Sequence, residues 1–346
     1  MQNKKAKLKY YISNLLSIAS PSGFTDKIMS HIKQELDTLN IPYTLTNKGV
    51  IIVTFKGEND NIERTFSAHI DTLGAMVKEI KSNGALSLDF IGGFMGNSVE
   101  GENCIVSTMD DINYTGTIQT IKPSVHINGD EARDLKRIPE NMEVILDEKV
   151  FTKEDVEDLG INVGDFVSFD PRTIFTEKEF IKSRHLDDKA SAAILLYAIE
   201  YIHTNKIKLP YTTNFFISNY EEVGHGASSS IPKNTTEFIS VDMGAPGPGQ
   251  NSSEYSVCIC AKDSSGPYDY NLRKKFVNLC KSKNIDYKID TYPHYGSDAS
   301  AALRAGWDIK TALIGPGVFA SHAYERTYMD SMVATLDLVL EYCKTN

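Results

Sequence analysis

The chain has 346 residues, of which 41% are hydrophobic, 24% charged and 10% aromatic; this excludes disorder and low-complexity scaffolds and leaves ample apolar material for a large core. Asp and Glu number 46 against 36 Lys and Arg, a formal net charge of −10, which argues against a nucleic-acid or anionic-membrane surface because phosphate binding needs clustered cations. The five cysteines, Cys104, Cys258, Cys260, Cys280 and Cys343, are scattered without a CxxC pair, so free thiols in a reducing compartment are expected. The apolar positions of the basic N-terminus are broken by Ser and Asn, and no apolar run approaches a membrane span, so the sequence reads as cytoplasmic and soluble.

In chain order, residues 7–19 read as a helix with Leu8, Tyr11, Ile12, Leu15 and Leu16 on one face, stopped by Pro21-Ser22-Gly23. Thr25 or Asp26 is placed to cap a second helix carrying Ile28, Ile32, Leu36 and Leu39. Strand-like stretches follow at 50–55, 65–70 and 75–80. From Gly84 to about Pro171, short β-like runs at 86–91, 104–107, 114–121 and 166–169 alternate with turns, with one short helix at 153–159. After Lys182 helices and strands alternate again: helix 188–203, strands 213–218, 238–241 and 255–260, helices 270–283 and 300–305, strand 309–314 and helix 329–342. The pattern predicts an α/β fold, a mixed central sheet flanked by helices, formed by 1–74 and 182–346 and interrupted by a small β-rich domain at 75–181.

The polar residues of interest sit where apolar strands end. His69 and Asp71 are two apart, so they share a side of a strand, and a carboxylate there suits orienting a ligating imidazole; a satisfied polar strand end reads equally well. Asp187 and Asp188 precede an apolar helix, yet an N-cap uses only one of them. Glu221 and Glu222 end an apolar strand, where their repulsion calls for a cation, a raised pKa or surface exposure. Asp242 follows another apolar strand and His322 lies in a glycine-bearing loop after a third. Two imidazoles with several carboxylates suit divalent ions, and a shared carboxylate would make the site dinuclear.

In order along the chain, HIDTLG (69–74), SRHLDDKASAA (183–193), NYEEVGHGA (219–227), SVDMGAP (240–246), GSDASAA (296–302) and ASHAYER (320–326) resemble the glutamyl-aminopeptidase and tetrahedral (TET) aminopeptidase family of cocatalytic zinc peptidases. The resemblance covers nearly the whole chain and implies a zinc-exopeptidase (phosphorylase/hydrolase-like) catalytic domain with an inserted β-rich dimerisation domain. It implies two divalent metal ions per subunit, zinc first, with cobalt or manganese as alternatives. His69 and Asp242 would hold one ion, Glu222 and His322 the other, with Asp187 bridging them across a cis peptide to Asp188. Asp71 would orient His69, and Glu221 would be the general base acting on a metal-bridging water. Asp298 is a candidate substrate-side residue, with a helix N-cap as its plain reading. Peptide substrates and a homo-oligomer are implied, a dimer building block for a twelve-subunit tetrahedral shell.

The sequence departs from the family pattern at Asn219-Tyr220, where Thr-Gln is usual, at Lys189 for Arg, at Ser191 for Gly, and in the residues after His322. None of these removes a ligand or the base. A related dinuclear amidase acting on N-acylated amino acids or small peptides would keep the same residues. A non-catalytic protein of this fold would lack a reason to keep Glu221 and Asp187. Glycoside hydrolysis by the Glu pair would leave both histidines unused and would need residues that point to opposite faces of a strand to converge.

Overall fold

Strands made of successive apolar residues need cover on both faces, and the central sheet is built accordingly. The computed structural model describes residues 2–346, with the backbone alone at 60 and 61; residue 1 of the expected first domain lies outside them. Helices α1 (Gln2–Leu16) and α2 (Asp26–Thr38) lead to β1 (Thr44–Leu45), β2 (Ile51–Phe55) and β3 (Asn59–His69). The chain then forms β4 (Gly74–Ile80), β5 (Leu86–Ile91), β6 (Asn103–Ser107), β7 (Asn113–Thr120), β8 (Met142–Leu146) and β9 (Phe166–Phe169), interrupted by short helices α3 (Val125–Asn128), α4 (Asp130–Asp134) and α5 (Lys153–Asp158). It returns through β10 (Ile174–Phe175), β11 (Phe180–Ser183), α6 (Leu186–Thr204), β12 (Tyr211–Ser218) and β13 (Thr235–Val241). The last elements are β14 (Val257–Asp263), β15 (Gly266–Pro267), α7 (Tyr270–Lys283), β16 (Tyr287–Thr291), α8 (Asp298–Arg304), β17 (Lys310–Pro316), β18 (Glu325–Tyr328) and α9 (Met329–Cys343).

The large sheet has the order β1-β2-β12-β3-β13-β17-β14-β15, with β16 beside β14. Strands β12, β3, β13 and β17 run parallel, Ser218 pairing with His69 and Val241 with Ile314. Their carboxyl ends therefore emerge along one edge, where open α/β sheets gather ligands. Phe215, Ile217, Phe66 and Ile239 face the helical layer that includes α1, α6 and α9, whereas Phe216, Phe238 and Leu313 face α8 and its neighbours. Strands β4-β5-β8-β7-β6-β9 close into a small antiparallel barrel with its own core of Val77, Leu88, Val106, Ile118, Val144 and Val167. The fold is thus the mixed α/β architecture with a small β-rich module that the sequence predicts.

The differences lie where polar residues hide an element. Helix α1 starts five residues earlier than its apolar spacing begins (Gln2 against 7), because Lys4, Lys5 and Lys7 find partners in Asp337, Glu179 and Glu200. Strand β3 extends back through Glu63 and Arg64, and β18 consists of Glu-Arg-Thr-Tyr, both too charged to read as strands. Strand β8, though apolar, follows a polar stretch and is absent from the sequence reading, as are β10, β11 and β16. Thr25 stands at the N-cap of α2 without capping it; its hydroxyl accepts from Asn219 Nδ2 at 2.7 Å instead. All five cysteines are buried and free. No helix among the described residues is long and apolar enough to cross a membrane.

Arg64 shows how the extended β3 is held. Its guanidinium is fully buried, donating to Glu237 at 2.9 Å and to the carbonyls of Tyr342 and Thr345 at 3.0 and 2.9 Å, over the face of the Tyr342 ring. Arg64→Ala strands Glu237 in the interior beside a more exposed Lys275. A loss of about 3–5 kcal/mol is expected for breaking such a pair from one side, read as a lowered midpoint in thermal and urea unfolding.

Candidate metal centre

Five of the strand-end residues converge from distant parts of the sequence because parallel strands deliver them to the same edge. His69 is the last residue of β3, Glu221 and Glu222 follow β12, Asp242 follows β13, and His322 follows β17. Asp187 comes from the opening of α6, where it and Asp188 have non-helical backbone angles and are joined by a cis peptide. Neither Asp caps the helix. Gly315 allows β17 to pass this edge: a Cβ there would lie 1.8 Å from the Asp242 carbonyl oxygen.

Asp187 sits at the centre. Its Oδ1 lies 3.4 Å from His69 Nε2 and its Oδ2 lies 3.3 Å from His322 Nε2. His69 Nε2 is also 3.6 Å from Glu221 Oε2, and His322 Nε2 is 3.4 Å from Glu222 Oε2. Ligand atoms of His69, Asp187 and Asp242 all fall within 4.8 Å of one another. Glu221 and Glu222 occupy a turn rather than a strand, so both reach the cluster, one on each histidine's side. This corrects the expectation that the pair would point to opposite faces.

A second set of contacts aims these groups. His69 Nδ1 donates to the backbone carbonyl of Asp71 at 2.9 Å, with the Asp71 carboxylate at 3.6 Å; Asp71 orients the ring chiefly through its main chain. The Asp71 carboxylate instead accepts from the backbone N–H groups of Glu221 and Glu222 at 3.1 and 3.3 Å and from the Ser22 hydroxyl. It thereby fixes the turn that carries both glutamates. Asp188 accepts from the His69 N–H at 3.2 Å. His322 Nδ1 donates to the Gly93 carbonyl at 2.6 Å, a group supplied by the barrel loop after β5.

Glu325 is a residue that the sequence reading did not assign. Its buried carboxylate accepts from the Leu186 and Asp187 N–H groups at 2.6 and 3.2 Å and from the His322 N–H at 3.1 Å. It clamps the Asp187 turn to the His322 loop. The H-x-x-E spacing of 322–325 was the available signal; nothing in the sequence could signal the Gly93 carbonyl. Asp298, expected as a substrate-side group or an N-cap, does not cap α8, whose N-cap is Ser297. The Asp298 carboxylate is buried below the cleft, accepting from Ser67 Oγ at 2.6 Å and from the Ala227 N–H at 2.9 Å.

The electrostatics of so many buried carboxylates are severe. Burial, with Asp187 nearby, pushes Asp242 up to about 7, and burial pushes Glu222 up to about 8 against the pull of His322. Glu221 is raised well above the carboxylate range by burial and by Asp242, Asp298 and Glu222, despite His69. Burial disfavours a charged His322, but Asp187 and Glu222 prevail and raise it to about 11. His69 is raised likewise by Glu221, Asp187 and Asp71 against its burial. The cluster needs positive charge from protons or cations.

Distances discriminate between those two. A carbonyl only accepts, so both Nδ1 atoms carry hydrogen and both Nε2 atoms face carboxylate oxygens. Charge-assisted N–H···O bonds run about 2.7–2.9 Å, shorter than the 3.3–3.6 Å found here. Tetrahedral ligands each about 2.0–2.1 Å from a shared ion stand about 3.3–3.4 Å apart. Glu222 Oε1 is also buried without a partner. The residues fit a pair of divalent ions, with His69, Asp187 and Asp242 able to hold one and His322, Glu222 and the other Asp187 oxygen the second. A cleft of about 360 Å³ opens above them, lined also by Met243, Tyr295 and Arg304.

The fold is that of the TET aminopeptidases. The TET aminopeptidase from the marine sediment archaeon Thaumarchaeota archaeon SCGC AB-539-E09 superposes with a TM-score of 0.87 at 19% identity, over 99% of this chain and 97% of that one. Pyrococcus horikoshii TET1 peptidase, which can assemble into a tetrahedron or a large octahedral shell, superposes with a TM-score of 0.86 at 22% identity, over 98% and 100%. In sequence, "Putative aminopeptidase YhfE" of Bacillus subtilis (strain 168) is 52% identical over 96% of both chains. The model of the M42 glutamyl aminopeptidase family matches residues 49–338, and the chain belongs to that family.

Glu325→Gln keeps the shape but weakens acceptance from the three N–H groups. Divalent-ion affinity is expected to drop about 10–100-fold, the range for residues that orient ligands, as measured by titrating a metal-stripped sample and following bound metal by elemental analysis.

Proposed function

We propose that the protein is a metal-dependent aminopeptidase that removes N-terminal residues from peptides, with two divalent ions in the cluster around Asp187. The observation that carries this reading is the split of the Asp187 carboxylate, one oxygen toward each imidazole at 3.4 and 3.3 Å. Membership of the M42 family supports hydrolysis of peptides. His69 and Asp242 would hold one ion, His322 and Glu222 the other, with Asp187 shared between them. Imidazole and carboxylate donors suit zinc, and cobalt or manganese accept the same set. Ions held there would supply polarisation of the scissile carbonyl and acidification of the attacking water.

The protein's own groups do the rest. Glu221 lines the cleft beside His69, where a carboxylate not assigned to an ion is placed to take a proton from the attacking water and return it to the leaving amine. Asp71 and Glu325 keep the turns in place, so that Glu221 has one position relative to the ligands. Asp298 acts from beneath, holding Ser67 and the 226–228 turn rather than touching substrate.

The 1–74 and 182–346 segments form the catalytic domain of this reading, and 75–181 the inserted dimerisation domain. A homo-oligomer, up to a tetrahedral dodecamer, is supported by likeness to the P. horikoshii TET1 peptidase; a dimer building block and a cytoplasmic location complete this reading. Met95, Met109 and Ile127 lie exposed between Gly74 and Phe169 and supply apolar surface for such contacts.

Two measurements test this. Glu221→Gln is expected to retain bound metal while turnover of aminoacyl anilides falls about 10²–10⁴-fold, the span of general acid–base catalysis; near-full turnover would remove Glu221 from the role. Exhaustive chelation is expected to abolish hydrolysis of substrates with a free amine and added divalent ions to restore it. Activity confined to N-acylated amino acids or peptides would make the protein a related amidase instead.

A further inference from the structure

A second pocket, partly open to solvent, lies away from the metal centre. It measures about 500 Å³ and sits between residues 16–21 after α1, strands β6, β7 and β9 of the barrel, and the start of α6. None of the groups assigned to the ions lines it. Leu16, Ile18, Leu73, Ile105 and Phe169 make much of its wall apolar.

Polar side chains share that wall, among them the buried Lys189 and Ser168. Lys189 is 1% exposed, and its ammonium donates to the Ile18 carbonyl at 2.6 Å, with no carboxylate in ion-pair contact among the described residues. Ser168 is 5% exposed, and its hydroxyl is buried without any hydrogen-bond partner. An ammonium has three donors, so one carbonyl leaves two unused. A buried cation without a counter-charge is strongly disfavoured. The complement to the unused donors of Lys189 is an anionic acceptor, and the complement to the apolar part of the wall is hydrocarbon. Asp147 and Asp170 also line the cavity, on the barrel side, and disfavour a second negative charge.

We propose that this cavity binds a small monocarboxylate with an apolar body, its carboxylate on Lys189 and Ser168 and its hydrocarbon against Leu16, Leu73 and Phe169. The inference is independent of the peptidase reading. Ordered water, the usual filling of a polar cavity, is the competing occupant and has no charge selectivity.

The test is calorimetric titration of the metal-loaded, full-length protein with hexanoate and with hexanol. Hexanoate is expected to bind saturably, at least about tenfold tighter than hexanol, as for a charge-assisted contact, and to raise the unfolding temperature. Lys189→Met is expected to erase the preference for the acid. Ser168→Ala, which leaves the α6 turn untouched, is expected to weaken hexanoate severalfold while keeping some preference, so the proposal stays testable if the lysine variant folds poorly. Equal binding of the alcohol, no saturable binding of the acid, or hexanoate affinity unchanged in both variants, as when the acid sits on the metals, would each overturn it.

Discussion

Everything in the site hangs on one carboxylate placed between two imidazoles. Asp187 cannot satisfy both His69 and His322 unless its turn, the end of β3 and the loop after β17 hold their relative positions to within a fraction of an ångström. The surrounding acids make that harder, because burial favours their neutral forms and crowding sets them against each other. The centre is therefore defined by its charge imbalance: it offers more negative groups than its two histidines can offset.

The rest of the molecule reads as the apparatus that tolerates this imbalance. Parallel β12, β3, β13 and β17 bring four strand ends to one edge. Asp71 converts its own buried charge into acceptance from two glutamate N–H groups, and Glu325 does the same for the Asp187 and His322 backbones. Each carboxylate spent on a backbone holds a neighbouring turn still, which is what pre-positioned chemistry requires.

Much of this was legible in the sequence because it followed from apolar runs and what terminates them. The strand carrying Phe215 and Ile217 announces itself, and Glu221-Glu222 at its end is conspicuous for lacking a reason to be there. Asp298 misled because a Ser-Asp pair before a short apolar helix looks like a cap, and the contacts to Ser67 and Ala227 that claim its carboxylate come from residues far along the chain. Glu325 was hidden inside a charged stretch that gives no sign of being a buried strand. Arg64 was hidden for the same reason, since its burial depends on Glu237 and on carbonyls in the last turn of α9 and just beyond it. Backbone groups such as the Gly93 carbonyl leave no trace in side-chain identity at all.

The two imidazoles are steadied by different bodies. His69 leans on the carbonyl of Asp71, two residues along its own chain, whereas His322 leans on Gly93, which belongs to a loop of the barrel. A small slip of the barrel against the sheet would turn one ring and leave the other as it was. The halves of the centre are thus mechanically unequal, the first anchored at the end of the central sheet and the second geared to a neighbouring module's posture.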